Sequence, residues 1–486
     1  MESVQTFISD VINDKLWLVI SFLLLGAGIY FGARTIVVQL RMIPEMFRSV
    51  GEKPAHGQTD EKGISAFKAF TISAASRVGT GNVAGVAVAI TVGGPGAVFW
   101  MWVIAVIGGA TAFVESTLAQ LWKTRNADGS YRGGPAYYMT RGLNARWLAV
   151  VFAFAITFTY GFVYNSIQSN SIAESMSESF GQDAMWFKVA IGAVLAFITA
   201  LIIFGGVQRI ADFTQVIVPV MAIAYVVIGI LVVALNIKEV PGMIGEIVGS
   251  ALGFREVAGA TLGQAFLMGM RRGLFSNEAG EGSAPNAAAT ATVSHPVKQG
   301  LVQTLGVYFD TILVCSITAF IILLNNPTYG EEVQGATLTQ QSLAAEVGGW
   351  GVHFITIILF FLAFSSVIGN TYLAQANIEY FTESKAVMAT FRLVVLACVF
   401  LGAIGSVPLV WALGDTFAAI MVLINLIAIV PLAGIAVKLL ANFSAQKAKG
   451  YDPIFHEDML PGIKNVECWD GSDPVTHRDG QIVRSV

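Results

Sequence analysis

Charge is what this sequence has least of. Only 12% of its 486 residues are Asp, Glu, Lys or Arg, against 55% hydrophobic, and mean hydropathy is +0.68. A water-soluble domain carries roughly a quarter charged residues, so this chain has no ordinary soluble surface to offer. Cysteine is nearly as scarce: Cys315, Cys398 and Cys468 lie far apart and form no metal or redox spacing. Cys315 and Cys398 read as small apolar residues in helices. HExxH, GxSxG and paired-cysteine motifs are missing, and no nucleophile has a plausible base, so no enzyme is expected. The alternating ten-residue segments of an outer-membrane barrel are not evident. The N-terminus has no basic stretch followed by a short apolar core and cleavage site, so no cleaved signal peptide is expected. The net charge of −4 decides little, because orientation follows where Lys and Arg lie.

What is present is apolar length. Runs of about 20 apolar residues, enough for a helix to cross the hydrocarbon core, recur along almost the whole chain. The reading is an all-α polytopic membrane protein with about eleven transmembrane helices. They fall at 16–38, 65–92, 96–122, 145–178, 185–205, 213–235, 259–290, 299–324, 352–382, 386–405 and 408–441. Arg34, Arg41, Arg48, Lys53 and Lys62 follow the first span, and Lys123, Arg125, Arg132, Arg141 and Arg146 separate the third from the fourth. The opposite turns are poorer, with Lys188, Lys238, Arg255, Glu331 and Glu332. Positive residues stay inside, so the N-terminus is expected outside and the C-terminus in the cytoplasm. The polar tail from 443, with Pro453, Pro461 and Pro474, reads as a cytoplasmic extension without assigned activity.

Two spans are not smoothly apolar. One contains RVGTGNVAG, residues 77–85; the other, 263–291, sets Gly269, Gly273, Gly280 and Gly282 beside Arg271, Arg272, Asn277, Glu278 and Glu281. The first leads spans two to six and the second leads spans seven to eleven. Interrupted helices at matching positions of two five-helix halves point to an inverted-repeat transporter. Five is odd, so the halves cross the membrane in opposite senses. The expected divisions are an extra helix and cytoplasmic loop (1–62), a first half (63–235), an extracellular connector (236–258), a second half (259–442) and a cytoplasmic tail (443–486).

Non-helical backbone at membrane depth is tolerated only inside protein or along a wet cavity. Glycine permits the unwinding, which frees amides for a carboxylate and carbonyls for a hard cation such as sodium. Gly79, Thr80 and Gly81 are therefore candidate donors to an amino-acid carboxylate. The alternative is that these glycines only let helices pack closely, but Arg77 and Asn82 in the same turns speak against it. The G-x-G-x-x-x-G spacing at 79–85 follows no strand, which excludes a nucleotide loop.

At 93–108 the run GGPGAVFWMWVIAVIG resembles the signature of the alanine/glycine:cation symporters, also called sodium:alanine symporters. VGTGNVAGVA, GGPAYYM at 133–139 and RRGLFSNEAGEGSAPNAAA are similar to that family as well, and the likeness weakens only in the tail. An aromatic belt would explain Phe99, Trp100 and Trp102 but not the flanking glycines. The resemblance implies a leucine-transporter-like fold, a 5+5 inverted repeat with one extra N-terminal helix. By the same likeness, sodium would be held by Ala75 and Val78 at the first break, opposite the Leu362 carbonyl and the Ser365 and Ser366 hydroxyls. Those hydroxyls have a plainer alternative, bonding back to their own helix. Gln168, then Asn165, is the expected acceptor for a substrate amine, with Asn170 pointing elsewhere on the helix. Phe275, Ser276 and Asn277 sit at the second break. Several family members have tryptophan where this chain has Asn370, which leaves the size and polarity of the pocket open.

The intramembrane charges Arg77, Arg271, Arg272, Glu278, Glu281 and Glu115 are expensive alone, so partners across helices are expected. The function implied is symport of small neutral amino acids, alanine or glycine, with sodium as coupling ion, in a prokaryotic plasma membrane. No organic cofactor and no nucleic-acid partner are expected; lipid surrounds the spans. Two other readings stand beside it: a proton-coupled permease using Glu115 or Glu278, and a channel or sensor built on a transporter fold.

Overall fold

The structure, a computed structural model, describes residues 12–52, 64–126, 129–254, 261–330, 335–405 and 407–471. Lys53, Lys62, Arg255, Glu331, Glu332 and Pro474, weighed above, lie outside them. Among the described residues, nine helical stretches are long and apolar enough to cross a membrane. The two remaining spans expected from the sequence are the interrupted ones, each present as two shorter helices.

Helix α1 (Asp14–Arg34) and the short amphipathic α2 (Ile43–Val50) precede the first broken span. That span consists of α3 (Ala66–Arg77), an unwound Val78–Gly79, a π-helical turn Gly81–Gly85, and α4 (Val86–Gly93). Next come α5 (Gly96–Leu121), an antiparallel strand pair of β1 (Thr124–Arg125) and β2 (Tyr131–Arg132), and α6 (Pro135–Arg141). Helices α7 (Arg146–Phe158) and α8 (Asn165–Phe180) form one span through a π-helical turn, Thr159–Tyr164. Helices α9 (Met185–Ile203) and α10 (Gly206–Leu235) follow. The expected connector is partly helical, as α11 (Val240–Ala251), which packs on α5.

The second broken span is α12 (Leu262–Asn277), a turn through 278–283, and α13 (Ala284–Ala289). Thr261 and Gln264 close a reciprocal capping box at the start of α12. Then α14 (Pro296–Val307) and α15 (Ser316–Leu323) flank a third π-helical stretch, Tyr308–Cys315. A twelve-residue helix, α16 (Ala336–Val347), precedes α17 (Trp350–Glu379), α18 (Lys385–Ile404) and α19 (Val407–Ala448).

The glycines of the second broken span do two different jobs. Gly280 and Gly282 hold φ of +91° and +83° in the turn itself, where a side chain would be strained. Gly269 and Gly273 lie within α12 and let it approach α5. A Cβ on Gly269 would sit 2.5 Å from the Ala97 carbonyl oxygen, and one on Gly273 would sit 2.6 Å from Ile104 Cγ2. The same packing accounts for the run at 93–108. A Cβ on Gly93 would stand 3.0 Å from Met268 Cβ and one on Gly96 2.8 Å from Ala251 N. Trp100 meets Phe266 edge-on, with centroids 4.9 Å apart, and Trp102 Nε1 donates to Ser316 Oγ at 2.8 Å. The aromatic run joins α5 to α12 and α15, while Gly93 lets α4 approach α12 and Gly96 lets α5 approach α11.

The tail is not a loose extension where it is described. Phe455 N donates to the Ser294 carbonyl and Ser294 Oγ to the Pro453 carbonyl, both at 2.8 Å. Trp469 Nε1 donates to the Gln120 carbonyl at 3.1 Å, Trp122 Nε1 to the Lys464 carbonyl at 3.1 Å, and Arg141 pairs with Glu467. Burial works to raise the Glu467 carboxyl, but the Thr124 hydroxyl and Arg141 outweigh it and hold it below its usual range. Phe455 and Trp469 are buried, so the few aromatic residues of a polar segment fix its course.

The α5–α12 contact can be tested by contrast. Gly273→Ala should lower the melting midpoint of detergent-purified protein, because overpacking costs about 1–3 kcal/mol. Gly26→Ala, where a Cβ meets nothing within 4 Å, should leave the midpoint unchanged or raise it, since alanine favours helix by about 0.8–1.0 kcal/mol. Equal midpoints for the two variants would overturn this account of the packing.

Candidate functional site

The two breaks meet. A Cβ on Gly81 would lie 3.2 Å from Phe275 Cδ1 and 3.3 Å from Ser276 Cα. The unwound part of the first span is narrower than Gly79-Thr80-Gly81: Val78 is extended, at φ −81° and ψ 90°, and Gly81 already opens the π-helical turn. Gly81 is therefore glycine because the last turn of α12 passes against it, whereas Gly79 is walled by two other helices. A Cβ on Gly79 would run into Ser366 Oγ and come within 2.9 Å of Gln168 Oε1.

Freed backbone groups need partners, and polar side chains supply them. Gly79 N donates to Asn82 Oδ1 at 2.9 Å, and Thr80 N donates to Gln168 Oε1 at 3.0 Å. The expected amine acceptor thus faces the break with its oxygen already engaged by an amide. Asn165 Nδ2 donates to the Gly161 carbonyl at 3.0 Å and to Thr371 Oγ1 at 3.2 Å. Asn170 faces away, as the helical spacing predicts, donating at 2.9 Å to the carbonyls of Gly402 and Gly405 at the end of α18.

The other side of the Asn82 amide leads to a residue that the sequence reading missed. Asn82 Nδ2 donates to Asp310 Oδ1 at 2.7 Å, Ser276 Oγ donates to Asp310 Oδ2 at 2.7 Å, and Thr311 Oγ1 donates to the same oxygen at 2.8 Å. Asp310 is buried, and Cys315 Sγ lies 3.3 Å from Asn82 Nδ2. Its signal was present as the one charged residue in an otherwise apolar VYFDTILVC, since a lone intramembrane carboxylate points to function. Asn82 and Asp310 themselves lie in the π-helical segments Gly81–Gly85 and Tyr308–Cys315, which fits the frequent occurrence of such segments at functional sites.

The sodium-site candidates also converge on the break. Ser365 Oγ and Ser366 Oγ donate to the Leu362 carbonyl at 2.8 and 3.1 Å, the local back-bonding weighed above. Each hydroxyl keeps lone pairs that a cation can use while its hydrogen is so engaged. Gly369 brings α17 against the end of α3: a Cβ there would be 2.8 Å from Ser76 N and 3.2 Å from the Ala75 carbonyl carbon. Val78 is buried beside them. Ser76 Oγ lies 2.9 Å from Asn370 Oδ1. Among the described residues, Thr80 Oγ1, Asn165 Oδ1, Asn277 Nδ2 and Asn370 Nδ2 are buried without a hydrogen-bond partner. Buried polar atoms left this way call for water, an ion or a ligand.

Aromatic rings and an ion pair close one side. Phe275 lies 5.0 Å, centroid to centroid, from both Tyr164 and Trp411. Arg272 pairs with Asp415 and stacks over Trp411 at 4.8 Å, while Arg271 reaches Asp14 at 2.9 Å. The buried acids find neutral donors instead. Glu115 accepts from Gly280 N and Asn425 Nδ2, Glu278 from the Ser76 and Ser283 hydroxyls, and Glu281 from the Tyr164 hydroxyl. Arg77 Nη1 donates to the Gln303 carbonyl at 3.1 Å.

Two helices broken beside each other within a bundle of long apolar helices define a secondary-transporter architecture. The solved structure of MhsT in complex with L-phenylalanine shares it: TM-score 0.55 at 12% identity, covering 78% of this chain and 98% of that one. The fold is all-α, polytopic and leucine-transporter-like. The family model described as the sodium:alanine symporter family matches residues 1–457. The amino-acid carrier protein AlsT of Bacillus subtilis is 48% identical over 97% of this chain and 99% of its own. The probable sodium/glutamine symporter GlnT of the same organism is 46% identical over 98% of each. The chain belongs to the sodium:alanine symporter family, and it is a multi-pass membrane transporter, not an enzyme.

Two contrasts test the site. Gly79→Ala should weaken substrate binding more than Gly81→Ala, because it strikes both Ser366 and Gln168, and Gly85→Ala should be mild, with Trp411 at 3.8 Å and the Thr80 carbonyl oxygen at 3.9 Å. Direct binding to purified variants orders the three, and normal binding by Gly79→Ala would remove the break from the site. Gln168→Ala should weaken substrate binding roughly tenfold or more, by about 1.5–3 kcal/mol. Asn170→Ala should instead lower thermal stability with little change in affinity, since its bonds hold α18. Equal affinity losses at both positions would contradict this division.

Proposed function

We propose that the protein carries a small neutral amino acid, alanine or glycine, into the cell together with Na+. The observation that carries the reading is the meeting of the two broken spans, Gly81 against Phe275 and Ser276, at a polar centre that also receives Ser366, Gln168 and Asp310. The substrate carboxylate is bound by the amides of Gly79, Thr80 and Gly81, taking over the bonds that Asn82 and Gln168 now accept. Gln168 Oε1, released from Thr80 N, then turns to the substrate amine, and Asn165 is the second choice. Phe275, flanked by Tyr164 and Trp411, limits the side chain to a small one. Asn277 and Asn370 offer amide hydrogens to the bound molecule.

Sodium sits between the carbonyls of Ala75 and Val78 and the Leu362, Ser365 and Ser366 oxygens. Hard oxygen donors suit such a cation, and Asp310 adds negative charge on the far side of Asn82. The site alternates between the two sides of the membrane, with the N-terminus outside and the C-terminus in the cytoplasm. Parting of Arg272 from Asp415, and of Phe275 from its aromatic neighbours, opens the outer side. This orientation rests on the basic residues around α2 and α6.

Uptake of radiolabelled alanine and glycine into proteoliposomes tests the reading. Accumulation should be saturable, should require an inward sodium gradient, and should not be driven by a proton gradient alone. Uphill uptake driven by protons without sodium would replace the coupling ion, and downhill flux that never saturates would point to a channel. Ser366→Ala should raise the sodium half-saturation roughly tenfold, while its melting midpoint stays within the range of ordinary surface changes, about 0.5 kcal/mol. The fold loses little because, among the described residues, that hydroxyl bonds to a carbonyl of its own helix. An unchanged half-saturation in a folded Ser366→Ala protein would move sodium away from α17.

A further inference from the structure

Helices α1 and α19 run side by side in the same direction. Near their start, Asn13 Nδ2 donates to the Ala412 carbonyl and Trp17 Nε1 to the Asp415 carbonyl; near the other end, a Cβ on Gly434 would lie 3.8 Å from an Arg34 guanidinium nitrogen. Between these two contacts the helices part. They leave an apolar groove of about 490 Å3, with Gly26 on its floor and Phe22, Tyr30, Ile427 and Pro431 among its walls. A Cβ on Gly26 would meet nothing within 4 Å.

Both walls continue into a positive charge. Helical steps of three or four residues carry the α1 wall from Phe22 through Gly26 and Tyr30 to Arg34, and the α19 wall from Ile427 and Pro431 through Gly434 to Lys438. Arg34 donates to the Tyr30 hydroxyl at 2.9 Å and is exposed, as is Lys438. Neither has an acidic partner among the described residues. From Phe22 to Arg34 the helix rises about 18 Å, close to one leaflet of a hydrocarbon core about 30 Å thick plus the start of its headgroup layer.

We infer that this groove is a binding site for an anionic glycerophospholipid, one acyl chain lying between α1 and α19 and the phosphate held by Arg34 and Lys438. An acyl chain is the apolar filler present at this depth, and paired cations at one end select a headgroup with net negative charge. The lipid would tie the extra N-terminal helix to α19, whose Asp415 and Trp411 close one side of the site.

Native mass spectrometry of the full-length protein tests this, in micelles doped equally with phosphatidylglycerol and phosphatidylcholine of the same chains. The wild type should retain phosphatidylglycerol in clear preference. Arg34→Gln with Lys438→Gln should bring the ratio close to one, and Gly26→Leu, which fills the floor, should release the lipid while the melting midpoint holds. No preference in the wild type, or a preference that survives either variant, overturns the assignment. So does a dimer that Gly26→Leu dissociates, because a second copy of the chain would then fill the groove.

Discussion

A helix that unwinds inside a bilayer exposes amides that lipid cannot bond, and everything near the site follows from how this chain meets that demand. Asn82 answers it with one side chain. Its oxygen accepts from Gly79 N, and its nitrogen donates to Asp310, so the break and the buried carboxylate hold each other in place. Ser276 joins the same carboxylate from the second break. The two interrupted spans are thereby fastened through a third, the α14–α15 span, whose π-helical stretch carries Asp310. Removing charge or amide at this point would leave unpaired polar groups on three helices at once.

The buried charges divide by what each can tolerate. Arg271 and Arg272 pair with Asp14 and Asp415 near the starts of α1 and α19, where opposite charges from separate helices come within reach. Glu115, Glu278 and Glu281 accept from backbone N–H groups, hydroxyls and amides. A carboxylate takes several such donors and is stabilised without a cation directly against it. This arrangement also shapes the second break. Gly280 gives its N–H to Glu115 and its carbonyl to Asn425, so the turn at 278–283 has its backbone satisfied by α5 and α19.

Much of the fold was legible because span length and glycine-rich interruptions are coarse physical signals. Which glycine does what was not. Gly79, Gly81, Gly269 and Gly280 look alike in sequence; what separates them is the atom opposite, respectively Ser366 Oγ, Phe275 Cδ1, the Ala97 carbonyl and a positive φ. Asp310 stood out in sequence only as a lone charge in an apolar run; apart from Thr311 beside it, its partners come from residues 34 and 228 positions away. The tail hid its contacts in another way. Its composition is polar, yet Phe455, Cys468 and Trp469 are buried against 120–124 and 294–295. Gln168 and Asn170 were separable from helical spacing alone, because two residues turn a side chain to another face.

The placement of Gly79 also limits how ion and substrate can communicate. It stands against Ser366 of α17 and Gln168 of α8, so the same unwound residue borders the proposed sodium hydroxyls and the proposed amine acceptor. Ser76, three residues earlier, bonds both Asn370 and Glu278, joining α17 to the second break. Any shift of α17 relative to α3 must therefore move the Ser76–Asn370 contact and the wall that Ser366 sets against Gly79. If sodium binds on the α17 face as proposed, holding α17 against the break keeps the Gly79 and Thr80 amides aligned for a carboxylate. Coupling then needs no long pathway, since both ligands act around the same residues, Gly79 and Thr80.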